Sequence, residues 1–276
     1  MKQAGESATA CVIIGFEMLR IFETQRPSVA LVIGTFAAVP YVHLALESSR
    51  RYYPAVPLLV VDDGSPEAPR LEALCREYGV GFRGNPWRSG HTIGDIRSCI
   101  CGLDWAASLG VELLVKMSRR FIPLHDWTPA LQAIAWESQY ATFSQRCLHF
   151  SFGFRTECIG FHVPSWRSPS VRTGLGEIVE RNQPVFVEGC LHRFARGIQA
   201  SACDLNRRHQ ALYPRPADSD AYGIWPIMPD RRMTKKSDIL WHDCDAPADY
   251  CRIARDFGLS YSVEDFLDPD HGHGPA

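Results

Sequence analysis

Short apolar runs alternate with longer amphipathic stretches through the first half of the chain. The runs predict buried β-strands over residues 29–35, 56–62, 80–83 and 112–116. Apolar positions three and four residues apart, together with capping residues, predict helices over residues 40–53, 67–78, 93–109 and 126–138. Strands that alternate with helices are typical of parallel crossover units, so we expect an α/β fold with a mostly parallel sheet flanked by helices.

The pattern changes beyond about residue 141. From Phe143 to Val163, large apolar residues alternate with smaller or polar ones, which favours antiparallel strands. Residues 170–181 and 188–196 are predicted helices. We expect a long ordered loop at 207–229, a disordered tail at 269–276, and an N-terminal extension at 1–27, with a short helix or strand over 10–22.

Composition narrows the class of protein. The chain has 276 residues and a formal net charge of -2, which gives no overall attraction to nucleic acid or to an anionic membrane. The ten cysteines are scattered without a C-x-x-C pair. The first residues lack the pattern of an export signal or a membrane span. We therefore expect a reduced, cytoplasmic protein whose thiols are mainly core residues.

Two adjacent carboxylates, Asp62 and Asp63, follow the second predicted strand within the sequence LLVVDDGS. Ligands of open α/β sheets bind outside the carboxyl ends of the strands, where these two side chains would lie. A carboxylate pair there could accept hydrogen bonds from the base or ribose of a nucleotide. The alternative is that Asp62 caps the turn and Asp63 caps the helix that follows, without any ligand.

The order of motifs from residue 29 to residue 131 resembles the nucleotide-sugar glycosyltransferases of GT-A fold, and especially the large inverting family with an early V-D-D-G-S motif. The matching features are Thr35-Phe36 at the end of the first strand, VDDGS at the end of the second, and a glycine-containing loop followed by Arg97. The resemblance implies a GT-A sheet with a nucleotide-binding half at 28–140 and a mixed, acceptor-side half of the same domain at 141–268. It also implies a UDP- or GDP-linked sugar donor and a hydroxyl acceptor.

The same resemblance assigns roles to the residues at the strand ends. Thr35 and Phe36 would line the base and ribose pocket, Asp62 and Asp63 would bind the nucleotide, and Asp63 would meet the base edge. Arg97 would face the diphosphate. The alternative for Arg97 is a solvated helix residue.

The chain departs from that family where the fourth strand ends. An Asp-x-Asp motif that holds a divalent cation is expected there, but residues 116–120 read KMSRR and contain no acid. Fixed cations can stabilise a departing diphosphate in place of a metal. We therefore predict that no cofactor is required and that the diphosphate is bound by Lys116, Ser118, Arg119 and Arg120; Mg²⁺ or Mn²⁺ would be needed only if these residues do not replace it. The alternatives are a lysine that reaches solvent with a surface arginine pair, or a domain that has lost catalysis.

Inverting transfer needs a general base for the acceptor hydroxyl. Glu188 is the first candidate because it follows a strand-like run at 185–187 and opens a predicted helix. A first-turn carboxylate also stabilises any helix, so this position has a purely structural explanation as well. Trp241-His242-Asp243 resembles the C-terminal histidine of GT-A enzymes, which places His242 at the diphosphate or packed beside Trp241. Asp243 and Asp245 are alternative bases.

Five aromatic residues fall in predicted loops and could stack on an acceptor or anchor those loops: Trp87, Trp166, Tyr213, Tyr222 and Trp225.

A second possible function is that of a degenerate GT-A domain that binds a nucleotide, a glycan or a partner without turnover. A third, nucleotidyl transfer to a sugar phosphate, is weakened because no G-x-G-x-R loop follows the first strand.

Overall fold

The computed structural model describes residues 28–128, 142–146, 154–182, 185–201, 239–240 and 246–267. Several predictions from the sequence therefore lie outside the described residues. They concern the N-terminal extension, nearly all of the helix at 126–138, the loop at 207–229 with Tyr213, Tyr222 and Trp225, the tail, and His242, Asp243 and Asp245.

The described strands form one six-stranded sheet and one two-stranded sheet. They are β1 (Val29–Thr35), β2 (Leu58–Asp62), β3 (Gly81–Gly84), β4 (Leu113–Ser118), β5 (Ile122–Pro123), β6 (Thr142–Arg146), β7 (Phe154–His162) and β8 (Ile239–Leu240). The large sheet has the order β3-β2-β1-β4-β7-β6, and β5 pairs with β8. The first four strands are parallel, whereas β7 runs antiparallel to β4 and β6 antiparallel to β7. The predicted fold class, a mostly parallel α/β sheet with a mixed second half, is confirmed.

Five of the described helices lie close to their predicted positions, whereas the helices at Val163–Trp166 and Pro247–Asp256 were not predicted from the sequence. The described helices are α1 (Val39–Tyr52), α2 (Ala68–Glu77), α3 (His91–Ser108), α4 (Val163–Trp166), α5 (Pro169–Glu180), α6 (Val187–Ser201) and α7 (Pro247–Asp256), followed by a 3₁₀ turn at Glu264–Phe266. Of the helices in the described ranges, none combines the length and the apolar character needed to cross a bilayer.

Two local predictions are wrong. The apolar run at 185–187 is not a strand, because Val187 already begins α6 and is buried against the core. A short apolar run looks the same whether it enters a sheet or starts a buried helix. Trp166 does not lie in a loop; it ends α4, is fully buried and packs edge-to-face on Phe161 at 4.7 Å between ring centroids.

The central strands are buried on both faces, as their continuous apolar sequences predict. On one face, Leu31 and Ile33 of β1 pack with α1, α2 and α7. On the other face, Val32 of β1 and Leu114 of β4 pack with α3, α5 and α6. Alternate residues of one strand therefore face two different helix layers, and the carboxyl ends of the strands are held between these layers.

Candidate functional site at the carboxyl edge of the sheet

The carboxyl ends of three neighbouring parallel strands meet at one edge of the sheet. In the register of the sheet, Thr35 of β1 lies beside Asp62 of β2, and Gly34 of β1 lies beside Ser118 of β4. The predicted parallel arrangement of these strands is confirmed by the strand pairing. Such an edge is where open α/β sheets bind their ligands.

The turn after β1 has an unusual backbone. Ala37 and Ala38 adopt φ angles of 53° and 63°, in the left-handed region that residues other than glycine rarely occupy. The hydroxyl of Thr35 donates a hydrogen bond to the carbonyl of Ala37 at 2.8 Å, and the Ala38 N–H donates to the carboxylate of Glu67 at 3.1 Å. These bonds hold a strained turn directly at the candidate site, where strain is often stored for function.

Asp62 is fully buried at the end of β2. Its Oδ2 accepts a hydrogen bond from the Ser65 N–H at 2.8 Å, which is the turn-capping role considered from the sequence. Its Oδ1 has no hydrogen-bond partner among the residues that the structure describes, and the same holds for the buried hydroxyls of Ser65, Ser89 and Ser118. Buried polar atoms are normally paired, so this edge offers acceptors and donors to a polar ligand.

Asp63 binds a different part of the chain. Its Oδ2 accepts hydrogen bonds from the Ser89 N–H at 3.0 Å and the Gly90 N–H at 2.9 Å, and its Oδ1 accepts one from the Asn85 side chain at 3.0 Å. The alternative that Asp63 caps the helix after β2 is wrong, because the N-cap of α2 is Glu67. Asp63 instead fixes the loop of residues 85–90 in front of α3, with its carboxylate at the positive end of that helix.

Gly94 makes room for this carboxylate. A Cβ at residue 94 would lie 2.7 Å from Oδ2 of Asp63, which is closer than real Cβ atoms approach an oxygen. Glycine at this position therefore lets helix α3 pass over Asp63 without a shift of the helix or of the carboxylate.

Two residues of the loop at 85–90 take part in cation–aromatic contacts with neighbouring elements. The Arg88 guanidinium carbon stands 3.9 Å from the centre of the Phe36 ring, and that of Arg97 stands 5.4 Å from the centre of the Trp87 ring. The Trp87 side chain is 61% exposed. The sequence reasoning singled out Phe36, Trp87 and Arg97 but missed Arg88, because nothing in its local sequence distinguishes it from another loop arginine.

Lys116 lies inside the protein and not in an open crevice. It is 1% exposed, and its Nζ donates hydrogen bonds to Oδ1 of Asp95 at 2.7 Å and to the Thr156 carbonyl at 2.8 Å. Burial alone would lower the pKa of Lys116, but attraction to Asp95, Cys99 and Glu157 and the hydrogen bond to Asp95 together raise the pKa above its ordinary value. The alternative of a strand end that reaches solvent is wrong. Asp95 is a further residue that the sequence reasoning missed.

The turn after β4 carries the other predicted phosphate-binding residues. The Phe121 N–H donates to the Ser118 carbonyl at 3.0 Å, and the Tyr250 hydroxyl of α7 donates to the Arg120 carbonyl at 2.6 Å. Arg119 and Arg120 are half-buried. Helix α7 therefore fixes the backbone from which both arginine side chains extend.

The described residues do not fit a divalent metal. Residues 116–120 contain no acid, and in the described parts of the chain no group of three or more His, Cys, Asp or Glu residues could hold a metal ion. Carboxylate oxygens are the ligands that Mg²⁺ and Mn²⁺ prefer.

Glu188 lies in the first turn of α6 and is half-buried. Burial raises the pKa of Glu188 above its ordinary value; the negative charges of Asp95 and Glu157 raise it further, and His91 opposes them. Glu188 thus shares its electrostatic surroundings with the Lys116–Asp95 pair. A carboxylate whose pKa is raised is better suited to remove a proton than an ordinary surface glutamate.

No family model and no curated protein matches the chain. Among solved structures it is similar to the mannosyltransferase PcManGT from Pyrobaculum calidifontis in complex with GDP-Man and Mn²⁺, with 16% identity, a TM-score of 0.41, and coverage of 52% of this chain and 46% of that one. It is similar to S. aureus TarS, with 12% identity, a TM-score of 0.40, and coverage of 51% and 29%.

A third similar structure is the apo form of the glycosyltransferase GlyE from Streptococcus pneumoniae TIGR4. The identity is 12%, the TM-score is 0.46, and the alignment covers 87% of this chain and 62% of that one. The chain thus spans less than two thirds of the length of each of these three proteins.

Proposed function

We propose that the protein is a glycosyltransferase that moves a sugar from a nucleoside diphosphate, UDP or GDP, to a hydroxyl acceptor. The observation that carries the proposal is the buried Asp62, whose Oδ1 has no partner in the described ranges, at the carboxyl end of a central parallel strand. A nucleotide would supply the missing donor, since its base and ribose carry N–H and O–H groups. The V-D-D-G-S resemblance supports the same ligand class.

In this proposal the residues at the strand ends bind the nucleotide. Thr35, Phe36 and Asp62 line the base and ribose pocket, while Asp63 fixes the neighbouring loop and meets the base edge through its remaining lone pairs. Arg97 approaches the diphosphate from α3, where its guanidinium carbon lies 5.4 Å from the centre of the Trp87 ring.

The leaving diphosphate is neutralised by fixed cations. Arg119 and Arg120 extend from the turn after β4, and an arginine offers a bidentate fork to phosphate oxygens. Ser118 Oγ, buried and without a partner in the described chain, can donate a further hydrogen bond. The Lys116 ammonium is already bound to Asp95. Lys116 therefore acts on the diphosphate only as part of this ion pair. His242, outside the described residues, remains a proposed phosphate ligand.

Glu188 is the proposed general base. It would take the proton from the acceptor hydroxyl while the oxygen attacks the anomeric carbon and the nucleoside diphosphate leaves from the opposite face, which inverts the configuration. Asp243 is the alternative base.

The second candidate is a GT-A domain that binds a nucleotide or glycan without turnover. Residues 116–120 favour it, because they lack an acid and because Lys116 already has two acceptors inside the protein. The two candidates differ in one measurable property: only the enzyme transfers or hydrolyses the sugar.

The test is a titration of EDTA-treated protein with UDP, GDP, ADP, CDP and TDP by calorimetry, repeated with Mn²⁺ and with Asp62→Asn. Tight binding of one nucleotide without metal, weakened in Asp62→Asn, supports the proposal and identifies the donor base. The control is Glu72→Gln, a change at an exposed surface pair of α2. Absence of binding with and without metal would overturn the proposal, and binding without any sugar transfer would favour the second candidate.

A further inference from the structure

The turn after β1 determines where the ring of Phe36 lies. Phe36 stands between Thr35, the last residue of β1, and the pair Ala37 and Ala38, whose φ angles are 53° and 63°. These angles are unfavourable for alanine, because its Cβ comes too close to the following carbonyl oxygen. A backbone in this conformation persists only where its surroundings hold it, so the position of the ring depends on the contacts that hold the turn.

The residues at and after the end of β2 hold both ends of this turn. At its start, the Asp63 N–H donates a hydrogen bond to the Thr35 carbonyl at 2.8 Å. At its end, the Ala38 N–H donates to Oε2 of Glu67 at 3.1 Å. Both partners belong to residues 62–67, which read DDGSPE. The stretch that carries the acidic pair therefore also fixes the neighbouring turn.

The two oxygens of the Glu67 carboxylate have different partners. Oε1 lies 2.8 Å from the guanidinium of Arg70, whose side chain is 71% exposed. An ion pair as exposed as this one contributes little to stability. Oε2 instead binds the backbone of Ala38, which lies 29 positions earlier in the chain. The two contacts can be removed separately, because a change of Arg70 leaves Oε2 in place.

We propose that Glu67 is a positioning residue for the donor base, because its carboxylate holds the turn of residues 35–38 and thereby fixes the Phe36 ring in the base pocket. This inference rests on the proposed nucleotide site. Without an acceptor at residue 67, Ala37 and Ala38 can relax to negative φ angles, and the ring loses the position in which it meets the base. Glu67 thus raises the affinity for the nucleotide by pre-organising a residue that contacts it.

The test compares Glu67→Gln with Glu67→Met in titrations with the nucleoside diphosphate that wild type binds most tightly. Both variants lose the charge and the Arg70 ion pair and keep a long side chain, but only glutamine offers a carbonyl oxygen to the Ala38 N–H. We expect Glu67→Met to bind the nucleotide about three- to tenfold more weakly than Glu67→Gln, which corresponds to one lost hydrogen bond. Arg70→Ala is the control and should leave the affinity unchanged.

A second comparison tests whether Glu67 acts through the aromatic ring. In a Phe36→Leu background, the affinities of Glu67→Gln and Glu67→Met should differ by less than about twofold, because the ring that the turn positions is absent. A purely structural bond would give a different result. It would lower the unfolding temperature of Glu67→Met and leave its nucleotide affinity equal to that of Glu67→Gln.

The outcomes separate this inference from the function on which it rests. If wild type binds a nucleoside diphosphate and the two variants bind it equally, the positioning role is refuted and the nucleotide site stands. A difference that persists without the Phe36 ring also refutes it. If wild type binds no nucleoside diphosphate, the proposed function fails and this inference fails with it. Glu67→Ala takes the place of Glu67→Met should the methionine variant fold poorly.

Discussion

The ammonium of Lys116 lies 2.7 Å from the carboxylate of Asp95, and the lysine side chain is 1% exposed. The pair connects β4 to the first turns of α3, directly below the carboxyl edge of the sheet. The second bond of the ammonium, to the Thr156 carbonyl, adds β7 to the same junction. One buried charge therefore holds together three of the elements that surround the candidate site.

Removing one partner of this pair should be strongly destabilising. We expect Asp95→Asn to lower the free energy of unfolding by about 3–5 kcal/mol, because it leaves a buried ammonium without its counter-charge. Lys116→Met should cost less, about 1–3 kcal/mol, since the Asp95 side chain is 16% exposed and can recruit water. Urea unfolding measures both, and additive losses in the double variant would show that the two groups are not coupled.

Gly94→Ala should disturb the hydrogen bonds by which Asp63 fixes the loop of residues 85–90. The new Cβ would meet Oδ2 of Asp63 at 2.7 Å, so the carboxylate or α3 must move, and we expect a loss of about 1–3 kcal/mol in thermal or urea unfolding. Gly176→Ala in α5 is the matched control, because nothing lies within 4 Å of its Cβ. That change should raise stability by about 0.5–1 kcal/mol. If both variants change the free energy of unfolding equally, the close contact between Gly94 and Asp63 does not restrict this position.

Glu47 should make stability depend on pH in acid. Burial alone would raise the pKa of Glu47, but hydrogen bonds from Arg50, Arg51 and Tyr78 outweigh it and lower the pKa from 4.5 to about 2. The contribution is therefore complete above about pH 4.5 and is lost as the pH falls towards 2, by about 1–2 kcal/mol given the exposed arginines. Glu47→Gln should flatten this part of the stability curve, whereas Glu72→Gln should leave it unchanged.

Glu188→Gln should separate catalysis from binding. We expect sugar transfer to fall at least about 100-fold, since the acceptor proton has no base, while the affinity for the nucleoside diphosphate stays unchanged. In wild type, burial and the nearby carboxylates raise the pKa of Glu188, so activity should fall on acidification at a higher pH than for an ordinary glutamate. Glu180→Gln, at the exposed end of α5, is the control. Full activity in Glu188→Gln would move the base to another residue, Asp243 first.

Removal of either arginine should lower turnover, whereas chelation of metal ions should not change it. Arg119→Ala and Arg120→Ala should each reduce transfer by about tenfold or more, because a charged donor to the leaving phosphate is lost. EDTA should leave the rate unchanged in the same assay. If EDTA abolishes transfer instead, the role given to the arginines is refuted and a Mg²⁺ or Mn²⁺ site must be sought among other residues.

The sequence by itself determined strands β1 to β4, helices α1, α2, α3, α5 and α6, and the position of the acidic pair. Val29–Thr35 is a strand in both prediction and structure, and Asp62 closes β2 as its pattern indicates. These features are readable because burial on both faces imposes a continuous apolar run, and a run and its polar end are local properties of the chain. The prediction of a strand at 185–187 was wrong, because a short apolar run does not specify which kind of element it enters.

Only the tertiary structure decided which groups meet at the strand ends. Asp63 receives its backbone donors from residues 26 and 27 positions later, and Lys116 finds Asp95 across 21 positions and Thr156 across 40. Each contact depends on the strand order, which places β2 and β4 on either side of β1 and β7 beyond β4. Neither hydrophobic period nor motif spacing carries that order, because an apolar strand fits equally well beside any other until the packing of the whole sheet selects its neighbours.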